Sequence, residues 1–219
     1  MATRIQGYYA ILDVAGSSYD EGALQAHARE LLSARPCCLQ LRAKELPLAD
    51  FCRLGHTLRI ECTQADLPLC INDRLDVALA VGADIVHLGQ GDLPLGEARR
   101  VHAVTPARKM LIGVSTHNLE QAKAAQAEGA DYIGFGPVFP TATKSDADPA
   151  VGLSALEKVA AAVSLPIVAI GGISLATIDA VARAGAAAAA AIAAVERAPD
   201  RAAAGRAIAR AFGEGFIAE

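Results

Sequence analysis

The stretch on which the fold turns is A-A-A-A-A-A-I-A-A-V, Ala186 to Val195. Alanine is the strongest helix former, and a run of equal-sized residues shows neither a period of 2 nor one of 3.6. Local propensity therefore favours a helix. Position in the chain favours a strand. Toward the amino terminus, seven short apolar runs read as strands: Tyr8 to Asp13, Cys37 to Leu41, Pro68 to Ile71, Ile85 to Leu88, Met110 to Val114, Asp131 to Gly136 and Pro166 to Ile170. Helical segments separate them. Glu21 to Ala34 carries Leu24, Ala28, Leu31 and Leu32 at helical spacing, and Leu48 to Cys62 carries Phe51, Leu54, Leu58 and Cys62 on one face. Further helices are predicted over Arg74 to Val81, Pro94 to Val104, Asn118 to Glu128, Ser154 to Val163, Ser174 to Gly185 and Asp200 to Phe212. Asn118 is suited to an N-cap, while Gly82 and Gly129 are suited to helix stops.

Seven strand–helix units need an eighth strand to close. The alanine run stands where that strand is due, and tertiary context overrides a weak propensity. We therefore read it as the closing strand of an α/β fold, a (β/α)8 TIM barrel. The competing architecture is an open Rossmann-like sheet with this run helical, but no G-x-G-x-x-G follows the first strand. No linker or shift in composition divides the chain, so residues 1–219 are expected to form a single domain.

Composition narrows the function. The 219 residues are 53% hydrophobic and 20% charged, enough apolar material for a large core. A net charge of −4 offers no basic field for nucleic acid, and four Tyr, five Phe and no Trp offer few stacking platforms. The apolar runs are too short or too glycine-interrupted to span a membrane, and the first ten residues lack the apolar core of a signal peptide. Five cysteines (Cys37, Cys38, Cys52, Cys62, Cys70), with no C-x-x-C pair, read as reduced, mostly buried thiols of a cytoplasmic protein.

In a barrel of this kind the carboxyl ends of all strands open on one face, where chemistry is done. The polar residues of this chain gather there: Arg42, Lys44, Asn72, Asp73, Asp92, Ser115, Thr141, Thr143, Lys144, Gly171 and Gly172. The segment G-F-G-P-V-F-P-T-A-T-K, Gly134 to Lys144, ends a strand in glycines, hydroxyls and a lysine, the composition of an anion-binding loop. Three cations and two threonines on one rim suggest a highly anionic ligand. Asp73 and Asp92, with Asn72, suit Mg²⁺, which takes one or two protein carboxylates and completes its shell with phosphate oxygens and water. Either aspartate alone is equally well explained as an ion-pair partner of Arg42 or Lys44. Gly171-Gly172 suits a single phosphate held by backbone N–H groups, or an ordinary left-handed turn. His87, inside a strand, reads as a hydrogen-bonded interior residue, and His117 is a second-tier candidate for proton transfer. No Ser-His-Asp arrangement and no zinc spacing is present.

Six segments, in this order and spacing, resemble the thiamine-phosphate synthase family: Q-L-R-A-K (Gln40 to Lys44), N-D-R (Asn72 to Arg74), H-L-G-Q-G-D (His87 to Asp92), I-G-V-S (Ile112 to Ser115), G-P-V-F-P-T-A-T-K (Gly136 to Lys144) and A-I-G-G-I (Ala169 to Ile173). The resemblance implies a (β/α)8 enzyme that joins hydroxymethylpyrimidine diphosphate to thiazole phosphate, two small phosphorylated substrates, and releases pyrophosphate. By matching position it assigns Gln40, Arg42, Lys44, Asn72, Ser115 and Lys144 to the pyrimidine diphosphate, with Arg42, Lys44 and Lys144 as the catalytic cations. It assigns Asp73 and Asp92 to Mg²⁺, and Thr141, Thr143, Gly171 and Gly172 to the thiazole phosphate. The family's G-A-D-G-V-A-V-V-S-A-I pattern becomes G-A-A-A-A-A-A-I-A-A-V here, so its aspartate, glycine and serine fall on Ala187, Ala188 and Ala193. The missing serine hydroxyl leaves the backbone N–H groups of Ile192 and Ala193 as the expected donors. A thiazole tautomerase-like paralogue or a non-catalytic phosphate binder on the same fold are the alternatives. The first is expected to lack the diphosphate and metal set, and only the alanine run favours the second. A homo-oligomer is compatible with the sequence.

Overall fold

The computed structural model describes residues 4–105, 109–141 and 149–213. Eight parallel strands, β1 (Gly7–Asp13), β2 (Cys38–Arg42), β3 (Leu69–Asn72), β4 (Ile85–Leu88), β5 (Leu111–Thr116), β6 (Tyr132–Phe135), β7 (Ile167–Ile170) and β8 (Ala188–Ala190), close into a barrel in sequence order. Closure comes from β8 pairing with β1, Gly7 against Ala188 and Tyr8 against Ala189. The helices α1 (Glu21–Ser33), α2 (Leu48–Gln64), α3 (Leu75–Val81), α4 (Leu95–Val104), α5 (Leu119–Ala127), α6 (Leu153–Ala162), α7 (Ile178–Arg183), α8 (Ile192–Glu196) and α9 (Arg201–Ala211) complete the chain order. Their ends follow local chemistry. Asp20, Asn118 and Asp200 cap α1, α5 and α9 through side-chain oxygens. Gly82 ends α3 in the left-handed conformation, at φ 66°.

Two of the expected elements are corrected. The alanine run is not one strand to Val195: β8 is three residues long, and the chain turns at Ala191 into the short helix α8. The barrel needs the run only for closure, and helix propensity reasserts itself where pairing with β1 and β7 stops. The helix expected from Ser174 begins at Ile178 instead, because Thr177 Oγ1 accepts from the Ser174 N–H at 3.0 Å and organises a turn first.

Alternation along the strands separates two cores. Tyr8, Ala10, Leu12, Leu39, Leu41, Ile71, Val86, Ile133 and Phe135 point outward and pack against the helices. Tyr9, Ile11, Cys38, Cys70, Ile85, Tyr132, Val168, Ala188 and Ala190 fill the barrel interior. The small side chains of β8 are buried there. Ala188 is 0% exposed, and the aromatic bulk comes from Tyr9 and Tyr132. An added Cβ at Gly113 would lie 2.1 Å from Tyr132 Cζ, so the glycine on β5 is what admits the Tyr132 ring.

Candidate active site

Above this filled floor, at the carboxyl ends of the strands, lies a cavity of about 420 Å³. Every sequence-predicted site residue that is described lines it: Gln40 and Arg42 from β2, Lys44 just beyond it, Asn72 and Asp73 after β3, Asp92 after β4, Ser115 on β5, Thr141 after β6, Gly171 and Gly172 after β7, and Ile192 and Ala193 after β8. Thr143 and Lys144 lie outside the described residues.

The floor is a hydrogen-bonded polar set. Gln40 Nε2 donates to the Tyr9 hydroxyl at 2.9 Å, and the Tyr9 and Tyr132 hydroxyls lie 2.9 Å apart. The Tyr132 hydroxyl meets His87 Nδ1 at 3.0 Å, and His87 Nε2 meets Ser115 Oγ at 2.9 Å. Burial pushes both tyrosines well above their ordinary pKa, so they stay neutral donors and acceptors. His87 is the interior, hydrogen-bonded residue expected, and it also faces the cavity. A buried network of this kind is costly to leave half made. Tyr132→Phe should therefore destabilise the fold by about 1–3 kcal/mol, read from the urea midpoint at constant m. An unchanged midpoint would show that the network carries no stability.

The wall from β1 to β4 carries charge. Arg42 is held at 2.6 Å by Asp13 at the end of β1, not by Asp73 or Asp92. Asp13 was not among the sequence candidates, although its place at a strand's carboxyl end was the available signal. Tyr9 and Tyr132 were missed as well, and the two-residue alternation of their strands would have pointed both inward. Asp73 adopts φ 65°, a conformation L residues adopt reluctantly. Its carboxyl is raised to about 6, by burial first and by the neighbouring Asp92 carboxylate next, while Lys44 and Arg42 pull the other way. Asp92 accepts from the Gly89 N–H at 2.6 Å. Among the described charged residues lining the cavity, Asp13, Asp73 and Asp92 outnumber Arg42 and Lys44 by one, a net of −1.

The opposite wall is backbone. Gly171 and Gly172 have φ of 94° and 63° and pack directly under the loop after β6. The N–H groups of Gly172, Ile173, Ile192 and Ala193 donate to no backbone carbonyl among the described residues, and all four residues line the cavity. His117, whose Nδ1 meets the Gly136 carbonyl at 2.7 Å, lies on the rim between the two walls.

A closed parallel barrel that opens at its carboxyl face on a charged wall, and on a wall of amides with no backbone acceptor among the described residues, defines the class, a (β/α)8 barrel of the kind whose active sites lie at that face. The particular family is a matter of sequence. Residues 9–195 match the family model described as thiamine monophosphate synthase. The chain is 47% identical over 159 residues to the thiamine-phosphate synthase of Methanospirillum hungatei, covering 73% of this chain and 75% of that one. It is 42% identical over 168 residues to the thiamine-phosphate synthase of Halalkalibacterium halodurans, covering 77% and 78%. A solved structure, thiamine phosphate pyrophosphorylase from Pyrococcus furiosus, superposes with a TM-score of 0.83 at 34% identity, over 95% of this chain and 96% of that one. The chain belongs to the thiamine monophosphate synthase family.

Proposed function

We propose that this chain is a thiamine-phosphate synthase that joins hydroxymethylpyrimidine diphosphate to thiazole phosphate. The observation that carries this reading is that one cavity has two walls of different character, each suited to an anion. One wall holds Arg42, Lys44 and the Asp73–Asp92 carboxylate pair, and the other presents the backbone N–H groups of Gly172, Ile173, Ile192 and Ala193.

The first wall suits the diphosphate and Mg²⁺ together. A net charge of −1 among its described residues would repel a diphosphate, and two adjacent carboxylates, one with a raised pKa, are a donor set short of positive charge. Asp73 and Asp92 would hold the cation, which when bound supplies charge neutralisation to the departing diphosphate. Arg42, oriented by Asp13, and Lys44 hold the same group and stabilise charge where it develops. The pyrimidine sits on the floor, against Gln40, Tyr9, Tyr132, His87 and Ser115. As the methylene C–O bond breaks, its electron pair leaves with pyrophosphate. The thiazole nitrogen then donates its lone pair to the methylene carbon, forming the new C–N bond. No protein nucleophile is needed, and the residues work by position and electrostatics.

The second wall holds the thiazole phosphate through Gly171-Gly172, Ile192 and Ala193, with Thr141 beside it. One hydroxyl is absent at Ala193, so restoring it is informative. Ala193→Ser should lower the thiazole phosphate KM roughly threefold to tenfold, as a single added hydrogen bond to an anion would, with the diphosphate KM unchanged. A KM that stays the same would remove Ala193 from this subsite. The reading as a whole is tested by mixing the protein with both substrates and Mg²⁺ and measuring pyrophosphate. Release that requires thiazole phosphate supports the synthase. Binding of either substrate without release would overturn it.

A further inference from the structure

Three strands of the barrel are preceded by a Gly-Ala-X tripeptide: Gly82-Ala83-Asp84 before β4, Gly129-Ala130-Asp131 before β6 and Gly185-Ala186-Ala187 before β8. The two aspartates do the same work. The Asp84 N–H donates to the Leu69 carbonyl at 3.0 Å, and its carboxylate accepts from the Leu69 N–H at 3.0 Å. The Asp131 N–H donates to the Ile112 carbonyl at 2.9 Å, and its carboxylate accepts from the Ile112 N–H at 2.7 Å. Each carboxylate also pairs with an arginine of a surrounding helix, Arg59 of α2 for Asp84 and Arg99 of α4 for Asp131.

At the third position the main chain is the same and the side chain is not. The Ala187 N–H donates to the Ile167 carbonyl at 2.9 Å. The Ile167 N–H has no acceptor among the described residues, although Ile167 is only 2% exposed. Buried amides without a partner are rare and costly. The residues next to Ile167 in the chain and across the ladder, Pro166, Ala186 and Ala187, line a cleft of about 660 Å³ together with Arg4, Gln6 and Arg183. Neither Arg4 nor Arg183 has a salt bridge among the described residues, and Gln6 Oε1 is buried without a hydrogen bond. Asp179 also lines the cleft, so two arginines face one aspartate and the lining keeps a charge of +1. Ile5, Leu165 and Phe212 give it an apolar side.

We propose that this cleft, at the amino-terminal face of the barrel, is a binding site for a small molecule bearing a carboxylate, which takes the place of the side chain missing at Ala187. One carboxylate oxygen accepts from the Ile167 N–H, Arg4 and Arg183 supply the charge, and the apolar side holds a short hydrocarbon body. The site is at the opposite end of the strands from the reaction cavity, so its occupancy stabilises the barrel without contributing to the reaction. It is independent of the function proposed above.

The test is thermal unfolding of the whole chain with sodium acetate, propionate or butyrate against sodium chloride at matched ionic strength. Binding to the native state alone raises Tm by mass action. The wild-type protein should show a saturable rise of about 2–4 °C, the shift expected for about 1 kcal/mol in a chain of this size. Ala187→Asp should raise Tm without any additive and abolish the carboxylate response. An equal response in wild type and Ala187→Asp, or none in wild type, would overturn the proposal. Should Ala187→Asp fail to fold, the Arg4→Gln, Arg183→Gln pair carries the same test. Loss of the saturable shift supports the site, and its persistence at full size removes it.

Discussion

Asp73→Asn should lose catalysis and gain stability in the same molecule. The Asp73 carboxyl is raised from 3.8 to about 6 by burial and by Asp92. Between these two values the folded protein holds a proton that the unfolded chain has released. The contribution of this one carboxyl is therefore fully present below about pH 4, is lost as the pH rises through 6 and is level above it, the reverse of an aspartate held in a salt bridge, and it is the part of the pH profile that Asp73 controls. Asparagine cannot ionise, so the variant should lack that fall and melt about 2–4 °C higher than wild type at pH 7.5 without Mg²⁺. Turnover should drop by about 10²–10³-fold, the scale for losing one group that organises transition-state charge. Wild-type Tm should climb with added Mg²⁺, and that of the variant should not. A variant that is less stable than wild type at pH 7.5, or that retains the Mg²⁺ response, would defeat this account of the carboxylate pair.

Gly172→Ala should be among the most disruptive single-methyl changes in the barrel. Gly172 has φ 63°, and an added Cβ would lie 2.4 Å from the Pro140 carbonyl oxygen and 2.7 Å from Phe139 Cβ. Both neighbours belong to the loop after β6 that carries Thr141, and the Phe139 N–H is tied to the Gly171 carbonyl at 3.0 Å. The methyl must push that loop away from β7. A loss of roughly 2–4 kcal/mol follows from the collision and the strained backbone together. Because the same turn forms the proposed thiazole phosphate wall, the KM for that substrate should rise more than tenfold while the diphosphate KM moves little. Gly96→Ala is the control: an added Cβ there meets nothing within 4 Å, and the helix should be unaffected or slightly firmer. Equal stability in the two variants would show that the loop yields without cost.

Most of the candidate site was legible because its residues carry their own chemistry. Arg42, Lys44, Asn72, Asp73 and Asp92 are polar residues at the ends of apolar runs, and once the runs are counted as barrel strands their convergence follows. What was not legible is how they pair. The sequence left Asp73 and Asp92 as plausible partners of Arg42, whereas the structure gives Arg42 to Asp13 and sets the other two carboxylates against each other. That choice depends on which strands are neighbours and on a register in which Asp13 faces Arg42 across β1 and β2. The barrel floor was hidden for a related reason. Tyr9, Tyr132 and His87 belong to three different strands, and only the curvature of a closed sheet brings their polar atoms together.

The alanine run shows the same division. The sequence by itself determined that a strand was due after the seventh unit and that alanine stands at 187, 188 and 193, where the resemblance to the family leads one to expect aspartate, glycine and serine. Propensity and periodicity are both silent in such a run, so where the strand ends was decided by tertiary structure. β8 lasts only as long as β1 and β7 can pair with it, three residues, after which the chain returns to the helix that alanine prefers. The consequence of having alanine at 187 was likewise beyond the sequence. The cleft beside β7 exists because the barrel brings Arg4, Pro166, Arg183 and Ala187 to one edge, and no local stretch of chain contains all four.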